Sequence, residues 1–212
     1  FPDTKWKINN LGKGWVLGET LITGIGQGYT QTTPIQLCLM TAQIANGGYK
    51  IQPKILTDDN ELTSEQVKKA MQDSKINNSY EPLYDDQKNI RIVQEAMFSS
   101  TNEIMGTSYK SRIDDPKYQF AGKTGTAQVK RISKRERELD LETFQIPYEE
   151  RDHALYVAYG PYSNPRYAVS IIVEHGGSGS SAAAPMATKL FKLIVDRHQY
   201  RKKLSDYKEF SI

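Results

Sequence analysis

Gly122-Lys123-Thr124-Gly125-Thr126 restricts this chain more than any other stretch, because it admits only two backbones. One is a phosphate-binding loop that opens a helix. The other is an extended strand. A phosphate loop needs Gly-x-x-x-x-Gly-Lys-[Ser/Thr], and the residue five places before Gly122 is Lys117. Its lysine must also start a helix whose N–H groups face the phosphates. Here Gly125 follows at once, and Thr126-Ala127-Gln128-Val129 reads as extended. Tyr118-Gln119-Phe120-Ala121 on the other side does too. The pattern therefore predicts a strand over roughly 118–129, with Lys123 inside it.

Two further strands, about 154–160 and 166–174, follow with Ser163-Asn164-Pro165 as the turn between them. Helices are predicted from Thr33, from Asp85 to about Thr101, and from Ala182 to about Tyr200. Thr33 is a good N-cap, Pro34 suits the first helical position and Gln36 completes a capping box. Ile35, Leu37, Met40, Ile44 and Ala45 form that helix's apolar stripe, and Gly47-Gly48 ends it. Ile90, Val93, Ala96 and Met97 share a face of the second helix; Leu190, Phe191, Ile194 and Val195 are the expected buried face of the last. Residues 1–32 read as Gly-rich and irregular, Tyr49–Leu56 as a short edge strand, 57–83 and 106–117 as loop, 130–152 as a charged excursion, and Gly176–Ser181 as flexible. Helix, helix, three short-joined strands, helix is an α+β order with an antiparallel sheet and flanking helices.

Composition narrows the function. The 212 residues make one domain or a large piece of one. With its 13 Tyr left out and its 15 Gly counted in, the apolar share is about 39%, below the ~45–50% usual on that count. A chain this polar folds with a small core or lacks part of one. Phe1-Pro2-Asp3 reads as a cut through a longer frame. Net charge is +3, too mild to demand nucleic acid or anionic lipid. The one cysteine, Cys38, excludes an internal disulfide and reads as a small core residue. The uncharged run Thr20–Tyr49 is long enough to span a bilayer, but its Pro34, glycines, Thr and Gln would leave polar groups unsatisfied in lipid.

Several segments, in order, resemble the class B penicillin-binding proteins. Ile25-Gly26-Gln27-Gly28-Tyr29, Thr33-Pro34-Ile35-Gln36 and Ala45-Asn46-Gly47-Gly48 resemble the stretch between that family's second and third motifs. Ala121-Gly122-Lys123-Thr124-Gly125-Thr126-Ala127-Gln128 is similar to its third motif. Tyr159-Gly160-Pro161-Tyr162-x-Asn164-Pro165 and Val173-Glu174-His175-Gly176-Gly177 resemble the two strands that follow. The Ile-Gly-Gln-Gly-Tyr wording is closest to the elongation-type members and tilts against the division-type ones. The resemblance covers about residues 11–197. It implies that 1–212 is the C-terminal part of a single transpeptidase domain of the penicillin-binding and serine β-lactamase-like fold.

The family carries Ser-x-x-Lys, with nucleophile and base, then Ser-x-Asn, then Lys-[Ser/Thr]-Gly. Only the third stands in its expected place; the first two are expected upstream of residue 1. Ser205-Asp206-Tyr207-Lys208 and Ser100-Thr101-Asn102 match the first two in wording alone. The former lies in a charged tail after the third motif. The latter falls at a helix end, where Ser and Asn are ordinary capping residues. By resemblance, Thr124 and Thr126 hydrogen-bond a substrate carboxylate, the Thr126 N–H is half of an oxyanion hole, and Lys123 adds positive potential and contacts the second motif. Gly125 admits close approach of substrate backbone, and Gln128 extends an edge-strand groove for an extended peptide. The implied activity is peptidoglycan D,D-transpeptidation of stem peptides ending in D-Ala-D-Ala through a serine acyl-enzyme that β-lactams trap, with no cofactor. The implied setting is the periplasmic face of the inner membrane, beside a membrane glycosyltransferase of the elongation machinery.

Competing readings are a transpeptidase-like module that binds without reacting and a nucleotide or nucleic-acid binder. Intact Ser-x-x-Lys and Ser-x-Asn upstream would remove the first. The second would use Gly122-Lys123-Thr124 or Lys130–Arg137, five of whose residues are basic. Over 130–152, however, six basic residues face seven acidic ones and no aromatic interleaves the basic cluster, so no nucleic acid is expected. Gly24, Gly26 and Gly28 are not a dinucleotide fingerprint and read as a tight loop. His153, His175 and His198 lack ligand spacing, so no metal is expected.

Overall fold

The structure, a computed structural model, describes residues 2–53, 82–130 and 141–209, with side chains up to Arg197. It divides into two compact units, 1–33 and 34–212.

The first unit is helical where an irregular segment was expected. α1 spans Thr4–Leu11 and α2 spans Leu17–Gly24. Asp3 caps α1 by accepting the Trp6 N–H at 2.7 Å. Gly12, at φ 64°, closes it by donating to the Ile8 carbonyl at 3.0 Å. These caps, and not an apolar stripe, mark the helix, which is why periodicity alone misses it. Lys7 is buried and pairs with Glu19 of α2, while its Nζ also donates to the Gly14 carbonyl at 2.7 Å. The Lys7 ammonium, helped by the Val16 N–H, holds the Glu19 carboxyl below its usual range. Trp6 and Trp15 pack on Tyr29, with ring centroids 5.6 and 6.5 Å from it. Of the glycines read as a tight loop, Gly24 ends α2, and Gly26 and Gly28 turn the chain after it at φ 78° and 81°.

The second unit begins with α3, Pro34–Ala45, followed by α4, Gln87–Asn102. Gly47 and Gly48, at φ 94° and 90°, end α3, and the Gly48 N–H returns to the Gln43 carbonyl at 2.7 Å. The stripe predicted on α3 is shifted. Ile35 and Met40 are exposed, and the fully buried residue is Thr41. Its hydroxyl donates to the Leu37 carbonyl at 2.7 Å, so it enters the interior with no unmet hydrogen bond. Cys38 is half-buried and donates to the Ala168 carbonyl at 3.3 Å. Of the strand expected at 49–56, the described residues 49–53 hold one antiparallel bridge, Tyr49 to Pro82. Residues 54–81, most of the expected loop 57–83, lie outside the described residues.

β1 (Ala121–Ala127), β2 (His153–Gly160) and β3 (Tyr167–Val173) form an antiparallel sheet in the order β1-β2-β3. Thr124 lies opposite Tyr156, and Tyr156 opposite Ile171. β1 starts later than position 118 because the Asp115 carbonyl draws the Tyr118 and Gln119 N–H groups into a turn, at 2.9 and 3.0 Å. The β2–β3 turn closes through Arg166 N–H to Gly160 carbonyl, 3.0 Å.

Side chains alternate along β2 and divide the core into two layers. Ala154, Tyr156 and Ala158 join Phe120 and Ile171 under α5, the last helix, at Ala184–Glu209. Val157 and Tyr159 join Met97, Ile44 and Phe98 under α3 and α4. α5 runs past its expected end near Tyr200. Its inner face is Ala184, Ala187, Phe191 and Val195, continued from Ala183 just before it, while Leu190, expected inside, is 38% exposed. The alanines at its start let the helix axis approach the sheet, and Leu190 falls one residue off the line that Ala187 and Phe191 define. The stretch expected to be flexible is built in. Gly179–Ala183 form a wide turn that leads into α5, and Gly179 is buried. The described part of 130–152 contains two single 3-10 turns, Thr143–Gln145 and Tyr148–Glu150, and 131–140 lie outside the described residues. No helix among the described residues is long and apolar enough to cross a membrane.

Candidate active site

The motif lies on β1, at the margin of the sheet. No helix starts at Lys123, so the phosphate-loop reading of these residues falls. Lys123 and Thr126 are exposed, and Thr124 and Gly125 are half-buried. Gln128 sits just past the strand and is exposed, so it does not pair within the described sheet. Lys123 Nζ donates to the Thr124 carbonyl at 2.8 Å and stands 3.4 Å from the Thr124 hydroxyl.

Behind β1 is a buried cluster of hydroxyls that the sequence reading did not assemble. Thr101, from α4, accepts the Gly122 N–H at 3.0 Å and lies 2.9 Å from the Tyr156 hydroxyl. Ser108 is 3.0 Å from the same phenol and donates to the Ser100 carbonyl, also at 3.0 Å. Burial pushes the Tyr156 phenol up, against the opposing pull of Ser108 and Thr101, and keeps it a neutral donor at neutral pH. Asn102 donates to the Phe98 and Phe120 carbonyls, both at 3.0 Å. Thus, of Ser100-Thr101-Asn102, whose Ser and Asn were read from sequence as ordinary capping residues, Thr101 and Asn102 fasten the end of α4 to Gly122 and Phe120, and Ser100 holds the loop at Thr107 and Ser108. Only the fold shows what these polar residues meet.

Glycines set the close contacts. A methyl group on Gly122 would sit on the Tyr156 hydroxyl, and one on Gly179 would run into the Leu155 and Gly125 carbonyls. At Gly125, the position singled out from sequence, a methyl group meets only the Leu155 Cβ, at 3.3 Å. Of the two motif glycines, the severe constraint therefore falls on Gly122.

Beside Lys123 an open, mostly apolar cavity of about 620 Å³ is lined by Met40, Ile44, Val93, Met97 and Val157, with Lys123, Thr107, Ser99, Ser100 and Glu103 as its polar members. Among the described residues no ion pair joins Lys123 to a carboxylate, and Glu103 accepts from the Ser99 hydroxyl at 2.8 Å. The ammonium can therefore meet an anionic group of a ligand whose apolar parts lie in the cleft.

The histidines are not as separate as their spacing suggests. His175, at φ 54°, donates its N–H to His153 Nδ1 at 2.9 Å, and the rings lie 4.7 Å apart. The described residues hold no group of three or more His, Cys, Asp or Glu placed to bind a metal. The side chain of His198 lies outside the described residues, as do those of Ser205-Asp206-Tyr207-Lys208.

Comparison with known proteins agrees with this arrangement. The penicillin binding protein transpeptidase domain model matches residues 3–192. The peptidoglycan D,D-transpeptidase MrdA of Haemophilus influenzae is 33% identical over 202 residues, covering 92% of this chain and 29% of that protein. MrdA of Acinetobacter baumannii is 36% identical, covering 86% of this chain and 25% of its own length. Among solved structures, penicillin-binding protein 2 of Helicobacter pylori in complex with MreC aligns with a TM-score of 0.71 at 28% identity, over 92% of this chain and 30% of that one. Pseudomonas aeruginosa PBP2 in complex with WCK 5153 aligns at 0.62 with 33% identity, over 91% and 37%. The chain thus spans under a third of the length of the curated relatives named here. With an antiparallel sheet, flanking helices and Lys-Thr-Gly on the marginal strand, the chain belongs to the penicillin-binding protein transpeptidase family and is of the penicillin-binding protein 2 type.

Proposed function

We propose that this chain forms the C-terminal part of a single peptidoglycan D,D-transpeptidase domain and supplies the wall of its cleft that grips the substrate carboxylate. One observation carries the reading: Lys123 lines an apolar cleft at the sheet margin, and Thr126 is exposed on the same strand. Acyl transfer from a peptide with a free carboxylate needs a nucleophile with its base, donors for the oxyanion and a partner for the carboxylate. Lys123, Thr124 and Thr126 meet the last need, and the Thr126 N–H serves the oxyanion. Gly125 leaves room for the incoming backbone. Gln128, beyond the strand, would touch the substrate only through its exposed side chain.

The attacking serine and its lysine belong to a portion of the parent protein outside these residues. In the full cycle that serine takes the acyl group of a D-Ala-D-Ala donor, D-Ala leaves, and an amine resolves the ester. A β-lactam acylates the same serine. The parent would work at the periplasmic face of the inner membrane with a membrane glycosyltransferase of the elongation machinery.

The 212-residue chain alone is expected to form no covalent adduct with a fluorescent penicillin, whereas the complete protein encoded by the same frame forms a stoichiometric one. Labelling of the isolated chain would place a nucleophile within it and reverse the assignment. Absence of labelling in the complete protein would favour a module that binds without reacting.

A further inference from the structure

We infer that Thr107 is a positioning residue for Thr124: its hydroxyl fixes which way the Thr124 proton points, and so sets the affinity of the cleft for a carboxylate. The inference rests on the acyl-transfer reading above. Thr107 Oγ1 lies 3.2 Å from Thr124 Oγ1 and 3.2 Å from Ser100 Oγ. Lys123 Nζ is the other donor near Thr124 Oγ1, at 3.4 Å. Each hydroxyl has one proton and two lone pairs. If Thr124 gives its proton to a bound carboxylate, the contact with Thr107 can only be closed by the Thr107 proton. Thr107 then accepts from Ser100. The three hydroxyls form one directed chain, Ser100 to Thr107 to Thr124 to ligand, in which each bond polarises the next.

The loop that carries Thr107 is built to hold it there. Gly106 lies flush on the last turn of α4, where a methyl group would meet the Ser99 carbonyl oxygen at 2.6 Å. On the other side Ser108 is buried, with its N–H and its hydroxyl both on the Ser100 carbonyl at 3.0 Å. Thr107 itself is exposed at the cleft, so its substitution leaves the core untouched.

The test uses the complete protein that contains this chain, with fluorescent penicillin as probe. Adduct formation is followed over a range of concentrations, which separates initial binding from the acylation step. Thr107→Val keeps the shape and removes the hydroxyl. It is expected to weaken initial binding about five- to tenfold with little change in the maximal acylation rate, the effect of losing one neutral hydroxyl–hydroxyl bond that orients the Thr124 donor. Thr107→Ser is expected to restore wild-type binding. In a Thr124→Val background Thr107→Val should add almost nothing, because the group it orients is gone. Unchanged binding in Thr107→Val overturns the role, as does a full additive loss in the Thr124→Val background or a Thr107→Ser variant as weak as the valine. A wild-type protein that forms no adduct overturns the acyl-transfer reading, and this role with it.

Discussion

Tyr156 reaches Thr101 and Ser108 by laying its ring across Gly122, with its hydroxyl and Cζ too close to admit a Cβ there. Gly122→Ala therefore forces the phenol out of a buried hydroxyl cluster and crowds the strand. Overpacking and the stranded hydroxyls together are expected to lower stability by about 2–4 kcal/mol, as measured by urea unfolding. Tyr156→Phe in the same background should recover part of the loss, since the phenyl ring is shorter by one oxygen. Gly122 was visible in sequence only as part of a motif. Its reason lies thirty-four positions later, in a tyrosine that no local pattern links to it. Gly125 was easier to notice and meets far less.

At the level of elements, legibility followed the source of each element's stability. α3 and the three strands announce themselves through local signals: a cap, a terminating pair of glycines, alternation and a turn with Asn-Pro. Of the two short helices before Thr33, α1 is signalled only by its caps, and the pair is supported by an ion pair between residues twelve apart and by aromatic contacts to Tyr29. The inner face of α5 was misjudged at Leu190 because bulk was taken as the mark of burial. Close approach to a sheet favours alanine, as at Ala183, Ala184 and Ala187. One further tie on α5 is testable. Asp196 accepts from the Tyr118 hydroxyl at 2.7 Å and from Lys117 Nζ at 2.9 Å. Both hold its carboxyl below the usual range, the tyrosine most. A lowered folded value means the contribution is present above the ordinary unfolded carboxylate pKa, about 3.9, and is lost as pH falls through the folded value. Asp196→Asn is expected to flatten the acid limb of thermal stability between about pH 5 and pH 2, as followed by melting temperature across that range.

For the whole molecule, the α+β class and the antiparallel sheet were readable because three alternating segments with short joins allow few other arrangements. The division at residue 33 was not, since no linker-like composition marks it. Assembly of the candidate site was only half readable. Lys123, Thr124 and Thr126 were singled out by resemblance to a family motif, whereas the contacts of Thr107 with Thr124 and of Thr101 and Ser108 with Tyr156 exist only once α4 and the loop after it lie beside the sheet. Acid should also affect the first unit by its own route. Glu19 is held below its usual value by Lys7, so its stabilising share is full above the unfolded glutamate pKa of about 4.3 and fades as pH drops through the lower folded one. Glu19→Gln should remove that dependence.

Trp6 and Trp15 are the only tryptophans in the chain, and both stand against Tyr29. Indole emission therefore reports first on residues 1–33, through the surroundings of Tyr29. Acid titration at that wavelength is the natural way to follow the Lys7–Glu19 pair, while the Gly122 and Asp196 variants call for ellipticity or tyrosine absorbance. A chemist who follows this domain by intrinsic fluorescence is watching its first thirty-three residues rather than the strand that bears Lys123.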